Sequence, residues 1–234
     1  MPSPFKFRQF TIVQEKNPHK VGTDSVLLGA WTRTDAKVIL DIGTGTGLLA
    51  LMMAQNHSQA SITALEPDEA SGEEAKLNFD NSVFANRITL YQTSLQYFAT
   101  KQKFDLIICN PPYFSTGLLS QNEQRANARH QSTLSAEVLY GCASKLLNES
   151  GTLNLIFPSD DEKLHFSEAA LNKLFPSKLL RTIRPNGNFE RTLVQYRFVK
   201  SKVEAVEMIV KNAANQYSSE YIEMTVAFYV KDLG

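Results

Sequence analysis

The sequence has little cysteine, no excess of either charge and no long apolar run. Its 234 residues include two cysteines, Cys109 and Cys142, which are too few for a disulfide framework and suit a reducing compartment. The 24 Lys and Arg residues balance 24 Asp and Glu residues, which argues against a general polyanion binder. No run approaches the 18 apolar residues of a transmembrane helix, and the amino terminus lacks a secretory apolar segment. We therefore predict a cytoplasmic protein with no membrane partner.

The length of the chain and the lack of a linker-like segment predict its domain organisation. The length fits one large domain or two small ones, and no linker rich in Pro, Gly or Ser divides the chain. We predict a single domain over 1–234, with a β-like extension over 1–35 and a core over 36–234 that ends in a hairpin and a helix. The four histidines are scattered and have no paired cysteines near them, so no metal site is expected.

Strand-like and helix-like segments alternate through the middle of the chain. Apolar, strand-like runs are separated by stretches rich in helix formers, which predicts a parallel sheet with helices on both faces. The predicted strands are Val38–Ile42, Ser61–Glu66, Arg87–Tyr91, Phe104–Cys109 and Gly151–Phe157. Two further β-rich runs flank an Asn-Gly turn at 186–187 and predict a hairpin, and residues 203–210 are a candidate for another strand.

A glycine-rich turn follows the first core strand. Asp41 precedes a G-x-G-x-G run at Gly43, Gly45 and Gly47, which falls short of the full dinucleotide fingerprint. Glycines allow a sharp turn and the close approach of a ligand, and the helix that follows favours polar or anionic groups. Glu66 ends the next strand, where a carboxylate can accept hydrogen bonds from ribose hydroxyls. Although a glycine turn alone indicates only a tight loop, the combination predicts a nucleoside site.

A second motif, Asn110-Pro111-Pro112-Tyr113, directly follows the strand that ends at Cys109. The prolines stiffen the segment and remove N–H donors, so it offers hydrogen-bond acceptors from Asn110 and from proline carbonyls. Such acceptors suit an exocyclic amine, and Tyr113 offers a flat face on which a base can stack. The alternative is a rigid turn that merely ends a strand.

Basic side chains are concentrated beyond this motif. Residues 173–200 carry seven basic side chains and one acidic one, a local charge of +6. Such a face next to a base pocket could follow a phosphate backbone, whereas the alternative is a set of solvated hairpin side chains. The candidate RNA-binding residues are Arg125, Arg129, His130, Arg181, Arg184 and Arg191.

Segments along the whole chain resemble one family, the bacterial tRNA1(Val) (adenine-N6)-methyltransferases. The matching segments are Phe5–Ile12, His19–Trp31, Ile39–Gln55, Phe104–Phe114, Arg125–Gln131 and Glu220–Leu233. The resemblance implies a Rossmann-like class I fold with a seven-stranded, mostly parallel sheet and an antiparallel last strand. It also implies S-adenosylmethionine as cofactor and, as substrate, adenosine 37 in the anticodon loop of a tRNA, with no metal and no obligate protein partner.

The resemblance assigns roles to individual residues. It implies that Lys20, Gly22 and Thr23 cover the amino-acid end of the cofactor, although Gly22 and Thr23 also suit the start of a helix. It further implies that Asp41, Gly43, Gly45 and Glu66 bind the cofactor, and that Asn110, Pro111, Pro112 and Tyr113 form the catalytic motif. Family members usually carry an acid that contacts the adenine amine, whereas Ser94 occupies that position in this sequence.

Three alternatives share parts of this pattern. A protein-glutamine methyltransferase of release factors also carries Asn-Pro-Pro-Tyr, but its long helical amino-terminal region is missing from the sequence. A DNA adenine methyltransferase needs a target-recognition domain, for which no segment remains. A non-catalytic RNA-binding module on the same fold is disfavoured by the intact Asn-Pro-Pro-Tyr motif.

Overall fold

A computed structural model of the protein describes residues 4–15, 20–112 and 134–230. An eight-stranded sheet lies at its centre with helices on both faces, which confirms the predicted α/β class. The strands are β1 (Phe5–Lys6), β2 (Thr11–Ile12), β3 (Val38–Ile42), β4 (Ser61–Leu65), β5 (Ile88–Tyr91), β6 (Phe104–Cys109), β7 (Leu147–Pro158), β8 (Phe175–Ile183), β9 (Phe189–Arg197) and β10 (Glu204–Ile209). The helices are α1 (Thr23–Trp31), α2 (Leu48–Asn56), α3 (Glu69–Asp80), α4 (Ala136–Leu146), α5 (Glu162–Leu171) and α6 (Ser219–Thr225).

The order of the strands creates a crevice at one edge of the sheet. The order is β10-β8-β9-β7-β6-β3-β4-β5, and every strand except β9 runs in the same direction. From β3 the chain builds outward through β4 and β5, and then returns to place β6 on the other side of β3. This reversal is the switch point at which open α/β sheets bind ligands, outside the carboxyl ends of the strands.

The sheet differs from the predicted one in two respects. It has eight strands rather than seven, because residues 204–209 join β8 in parallel register. The antiparallel strand is β9, between β7 and β8, and the last strand of the chain is parallel. The predicted hairpin is present as β8 and β9. The β-like amino-terminal run forms only the short pair β1 and β2, which a bridge between Phe7 and Tyr229 ties to the carboxyl-terminal region.

Side chains alternate between two apolar clusters, one on each face of the sheet. In β6, Leu106 and Ile108 face the cluster that α1, α2 and α6 cover, whereas Ile107 and Cys109 face α4 and α5. Helix α2 forms because residues 48–56 are strong helix formers, and residues 48–54 are all buried. No helix in the described part of the chain has the length and apolar character needed to cross a membrane.

Gly47, which precedes α2, has no room for a side chain. Its φ is +86°, and a Cβ there would lie 2.4 Å from Cε1 of the buried Phe79. We expect Gly47→Ala to lower the free energy of unfolding by about 2–4 kcal/mol, through strain and overpacking together. Gly43 is the control, because its φ is also positive but a Cβ would meet no atom within 4 Å. Urea unfolding should show a smaller loss, about 1 kcal/mol, for Gly43→Ala; equal losses would contradict this packing.

Candidate active site

Four neighbouring strands deliver predicted site residues to one edge of the sheet. Gly43 follows β3, Glu66 follows β4, Ser94 lies three residues beyond β5, and Asn110 follows β6. The last residue of β3 is paired with the last residues of β4 and β6, so Gly43 lies between Glu66 and Asn110. The structure therefore brings the glycine turn, the acid and the Asn-Pro-Pro segment together at the switch point.

The Glu66 carboxylate is fixed against the glycine turn. Its Oε2 accepts a hydrogen bond from the Gly45 N–H at 2.8 Å, and its Oε1 accepts one from the Asp68 N–H at 3.0 Å. The residue is only 7% exposed. Two backbone donors thus set the plane of this carboxylate at the end of β4, the position from which an acid reaches the hydroxyls of a ribose.

Asp41 is a carboxyl group in an apolar setting. It is fully buried, and its Oδ2 accepts hydrogen bonds from the Thr44 hydroxyl at 2.5 Å and the Ala50 N–H at 3.1 Å. Burial raises the pKa of this carboxyl from 3.8 to about 7, against the lowering effect of those two hydrogen bonds. Its Oδ1 has no hydrogen-bond partner among the described residues. A nearby cationic group would stabilise the ionised form.

Ser94 is the residue at which the resemblance expects an acid. It lies just before a 3-10 turn at Leu95–Tyr97 and is 7% exposed. Within the described ranges its hydroxyl oxygen is buried without a hydrogen-bond partner. Buried hydroxyls are normally paired, so this one suits a polar ligand atom.

Asn110 makes a hydrogen bond that crosses from the sheet to a helix. Its Nδ2 donates to Oγ of Ser25, in the first turn of α1, at 2.9 Å. Pro111 is buried and Pro112 is exposed, so the stiff segment emerges from the sheet at this point. The fourth residue of the motif, Tyr113, lies outside the described residues.

The segment that precedes α1 lies next to this contact. Gly22 is the cap residue of α1 and Thr23 its first residue, two positions before Ser25. The Lys20 ammonium donates to the Gln14 carbonyl oxygen, and the Gln14 side chain accepts a bond from the Val21 N–H at 2.8 Å. The helix-start interpretation of Gly22 and Thr23 is confirmed, and the cofactor roles of Lys20, Gly22 and Thr23 remain predictions.

The predicted RNA-binding arginines of the hairpin have carboxylate partners. Arg181 donates two hydrogen bonds to Glu162, at 2.6 and 2.9 Å. Burial alone would raise the pKa of the Glu162 carboxyl, but these hydrogen bonds outweigh burial and lower that pKa. Arg184 is half-exposed and lies 3.3 Å from Glu190. The positive charge available here is therefore smaller than the sequence count suggests. The remaining candidates, Arg125, Arg129 and His130, lie outside the described residues.

Arg191 is joined to the helix that contacts Asn110. Its Nε lies 2.7 Å from Oδ2 of Asp24, with about a quarter of each side chain exposed. The sequence motifs predict neither this pair nor the contact of Ser25 with Asn110. Ser25 directly follows the Gly-Thr-Asp run, but nothing in the sequence indicates a partner 85 positions away.

His165 and Cys109 are buried in the core of the protein. The His165 ring stacks on Phe157 at 3.7 Å and lies 2.8 Å from the Tyr140 hydroxyl. Burial lowers the pKa of His165 to about 4 and raises that of the Cys109 thiol. Over residues 4–15, 20–112 and 134–230, no group of three His, Cys, Asp or Glu side chains could hold a metal ion. His165 is therefore a neutral core residue.

Comparisons with known proteins indicate the family of this chain. Residues 19–178 match the model of the methyltransferase small domain family. A tRNA1(Val) (adenine(37)-N6)-methyltransferase of Bacteroides fragilis strain YCH46 is 40% identical, over 97% of this chain and 98% of the relative. The enzyme of that name in Flavobacterium psychrophilum is 39% identical, over 97% and 99% of the two chains.

A solved structure shares the fold of this chain. A predicted O-methyltransferase from Agrobacterium tumefaciens superposes with a TM-score of 0.68 at 20% identity, over 88% of this chain and 96% of that one. An identity this low shows only the shared Rossmann-like architecture. With the family model and the full-length relatives, the conclusion is that this chain belongs to the tRNA1(Val) (adenine(37)-N6)-methyltransferase family, within the methyltransferase small domain proteins.

Proposed function

We propose that this protein transfers a methyl group from S-adenosylmethionine to N6 of adenosine 37, next to the anticodon, in tRNA1(Val). The observation that carries the proposal is the 40% identity over 97% of the chain to a relative named for that reaction. The structure supports the proposal because Asn110 and the glycine turn lie side by side at the switch point of the sheet.

The residues at the switch point fit this cofactor. The fixed carboxylate of Glu66 suits the ribose hydroxyls, and the buried hydroxyl of Ser94 suits the amine of the adenine ring. The carboxyl of Asp41, in β3 just before the glycine turn, suits the positively charged end of the cofactor. The direction from Gly43 in which a side chain would point is open, so the backbone can be approached closely there. Lys20, Gly22 and Thr23 would cover the amino-acid end.

Asn110 would direct the reaction at the target amine. When bound, S-adenosylmethionine supplies a methyl group on a positively charged sulfur. Oδ1 of Asn110 and a carbonyl oxygen of the Pro111-Pro112 pair would accept hydrogen bonds from the two N6–H groups of adenine. These hydrogen bonds favour a pyramidal nitrogen and direct its lone pair at the methyl group. Catalysis then consists of orientation and preorganised electrostatics. Tyr113 would stack on the base, which an anticodon loop presents unpaired.

The hairpin edge would contact the tRNA backbone. The turn between β8 and β9 lies on the same edge of the sheet as Asn110, because β8 runs parallel to β6 and β7. A cleft of about 460 Å³ at this edge is lined by two basic side chains and two acidic ones, with Ser159, Asn188 and Phe189; the charged residues are Arg181, Arg184, Asp160 and Glu162. Arginine is well suited to phosphate, and we assign Arg181, Arg184 and Arg191 to this contact. Arg125, Arg129 and His130 are proposed as further RNA-binding residues.

We also propose that residues 1–234 act as one methyltransferase domain in the cytoplasm. The bridge from Phe7 to Tyr229 and the hydrogen bond from the Arg8 N–H to the Phe228 carbonyl, at 2.8 Å, support a single unit. The extension over 1–35 would then contribute the cofactor-covering segment to the catalytic core over 36–234.

Methyl transfer to separate substrates tests the function. The purified protein is incubated with labelled S-adenosylmethionine and, separately, with tRNA, DNA and a release factor. We expect label in tRNA only. Label in the release factor would support a protein-glutamine methyltransferase, and label in none would support a non-catalytic RNA-binding module. The Asn110→Ala variant, prepared in parallel, detects contaminating methyltransferases.

A further inference from the structure

The contact between Asn110 and Ser25 anchors the side chain of the proposed catalytic asparagine. A carboxamide has one acceptor and two donors, and its two ends are nearly equal in size. With Nδ2 donating to Oγ of Ser25 at 2.9 Å, Oδ1 is left for another partner. If the amide rotated by half a turn, it would present N–H donors to a target amine that itself presents N–H donors.

We propose that Ser25 is a positioning residue that holds the Asn110 amide in place through Nδ2 and leaves Oδ1 to accept from the target amine. The proposal rests on the proposed function, since it assigns the Asn110 oxygen to the acceptor role. Ser25 does not touch the substrate. It anchors the Asn110 side chain before the base enters, so its contribution is preorganisation.

The position of Ser25 is itself fixed by the residue before it. Oδ2 of Asp24 pairs with Nε of Arg191 at 2.7 Å, and Arg191 lies in β9 opposite the carboxyl end of β7. The Arg191 N–H also donates to the hydroxyl of Thr182 in β8, at 3.0 Å. The first turn of α1 is thus attached both to the hairpin, through Asp24, and to the Asn-Pro-Pro segment, through Ser25. Arg191 therefore has a positioning task through α1 as well as its proposed RNA contact.

Single variants test the role of Ser25. We expect Ser25→Ala to lower kcat on the order of 10- to 100-fold, the scale of a misdirected group in an active site, while KM for tRNA and the Kd of the cofactor stay within about twofold. Ser25→Thr keeps the hydroxyl and should restore most of kcat. Ser144→Ala is the matched control, because it removes a hydroxyl bound to the Gly141 carbonyl on the opposite face of the sheet; its kcat should not change.

A double variant separates positioning from general damage. If Ser25 acts only through Asn110, adding Ser25→Ala to Asn110→Ala should cause no further loss in the single-turnover rate. Full additivity, wild-type kcat in Ser25→Ala, or an inactive but folded Ser25→Thr would overturn the proposal. Thermal unfolding of each variant identifies any that fail to fold, and Ser25→Thr decides the question if Ser25→Ala is one of them. Loss of tRNA methylation by the wild-type protein would instead refute the proposed function.

Discussion

Asn110→Ala is expected to reduce the rate of methyl transfer to tRNA by about 100- to 1,000-fold, the cost of removing one preorganised group in an active site. The alanine lacks the oxygen that accepts a hydrogen bond from N6–H, so the lone pair of the amine is no longer directed at the methyl group. The Kd of S-adenosylmethionine should change by less than about threefold, because Glu66, Ser94 and the glycine turn remain. Single-turnover rates and equilibrium binding measure the two effects separately.

A matched substitution controls for the loss of an asparagine side chain. Asn81 is exposed at the carboxyl end of α3, and Asn81→Ala should keep the wild-type rate. Full turnover by Asn110→Ala would remove Asn110 from the mechanism. Equal losses of cofactor affinity and rate would mean that Asn110 holds the site together instead of directing the amine.

Asp41→Asn is expected to stabilise the ligand-free protein at alkaline pH and to weaken cofactor binding. The pKa of the Asp41 carboxyl is about 7 in the folded protein and 3.8 as a free group. The unfolded chain therefore releases this proton first, and the unfolding free energy of the wild type falls as the pH rises from about 4 to 7. Asparagine does not titrate, so the variant lacks this fall, which amounts to about 4 kcal/mol over the full range.

Two opposing titrations make the comparison with wild type necessary. His165 is buried with a pKa of about 4, against 6.5 as a free group, so its contribution to stability rises with pH over 4 to 6.5. In the wild type the two slopes partly cancel. The difference between wild type and Asp41→Asn removes the His165 contribution, which both proteins share. Urea unfolding at several pH values should show the variant gaining steadily; a constant difference would contradict a raised pKa for Asp41.

The cofactor measurement has its own control. We expect Asp41→Asn to weaken the binding of S-adenosylmethionine by about 10- to 100-fold, the worth of one hydrogen bond to a charged group. Asp105 lies at the opposite end of the sheet, and hydrogen bonds from the Lys37 and Val38 N–H groups and from Asn148 lower the pKa of its carboxyl although burial opposes them. Asp105→Asn should therefore leave cofactor affinity unchanged and lose stability above pH 4. Equal affinity in both variants would exclude Asp41 from the cofactor site.

The sequence predicts the part of the site that depends on strand ends. Parallel strands place the residues after their carboxyl ends on one edge, so Gly43, Glu66 and Asn110 could be brought together from the alternation of strands and helices alone. The partner of Ser25 and the carboxylate next to Arg191 could not be predicted, because α1 reaches them by tertiary packing. Apolar periodicity shows that residues 25–31 pack on a core, but it does not show which strand end their first turn meets.

The order of the strands could not be predicted from the sequence either. Residues 204–209 are strand-like in sequence, but local preference does not decide whether such a segment pairs with the outermost strand of a sheet or remains apart from it. In the structure β9 ends beside the amino-terminal end of β8. The chain crosses that end and then pairs with β8 in parallel, which gives the eighth strand. Likewise the charge of 173–200 is visible in sequence, whereas its neutralisation by Glu162 and Asp24 depends on which elements become neighbours.

Mapping the methylated nucleotide tests the proposed reaction at its target atom. Unmodified tRNA1(Val) is transcribed with adenosine or guanosine at position 37, incubated with the protein and S-adenosylmethionine, and digested to nucleosides for mass spectrometry. We expect N6-methyladenosine at position 37, approaching one per molecule, and no methylation of the guanosine transcript. Methylation at another nucleotide, or equal methylation of both transcripts, would show that adenosine 37 is not the target.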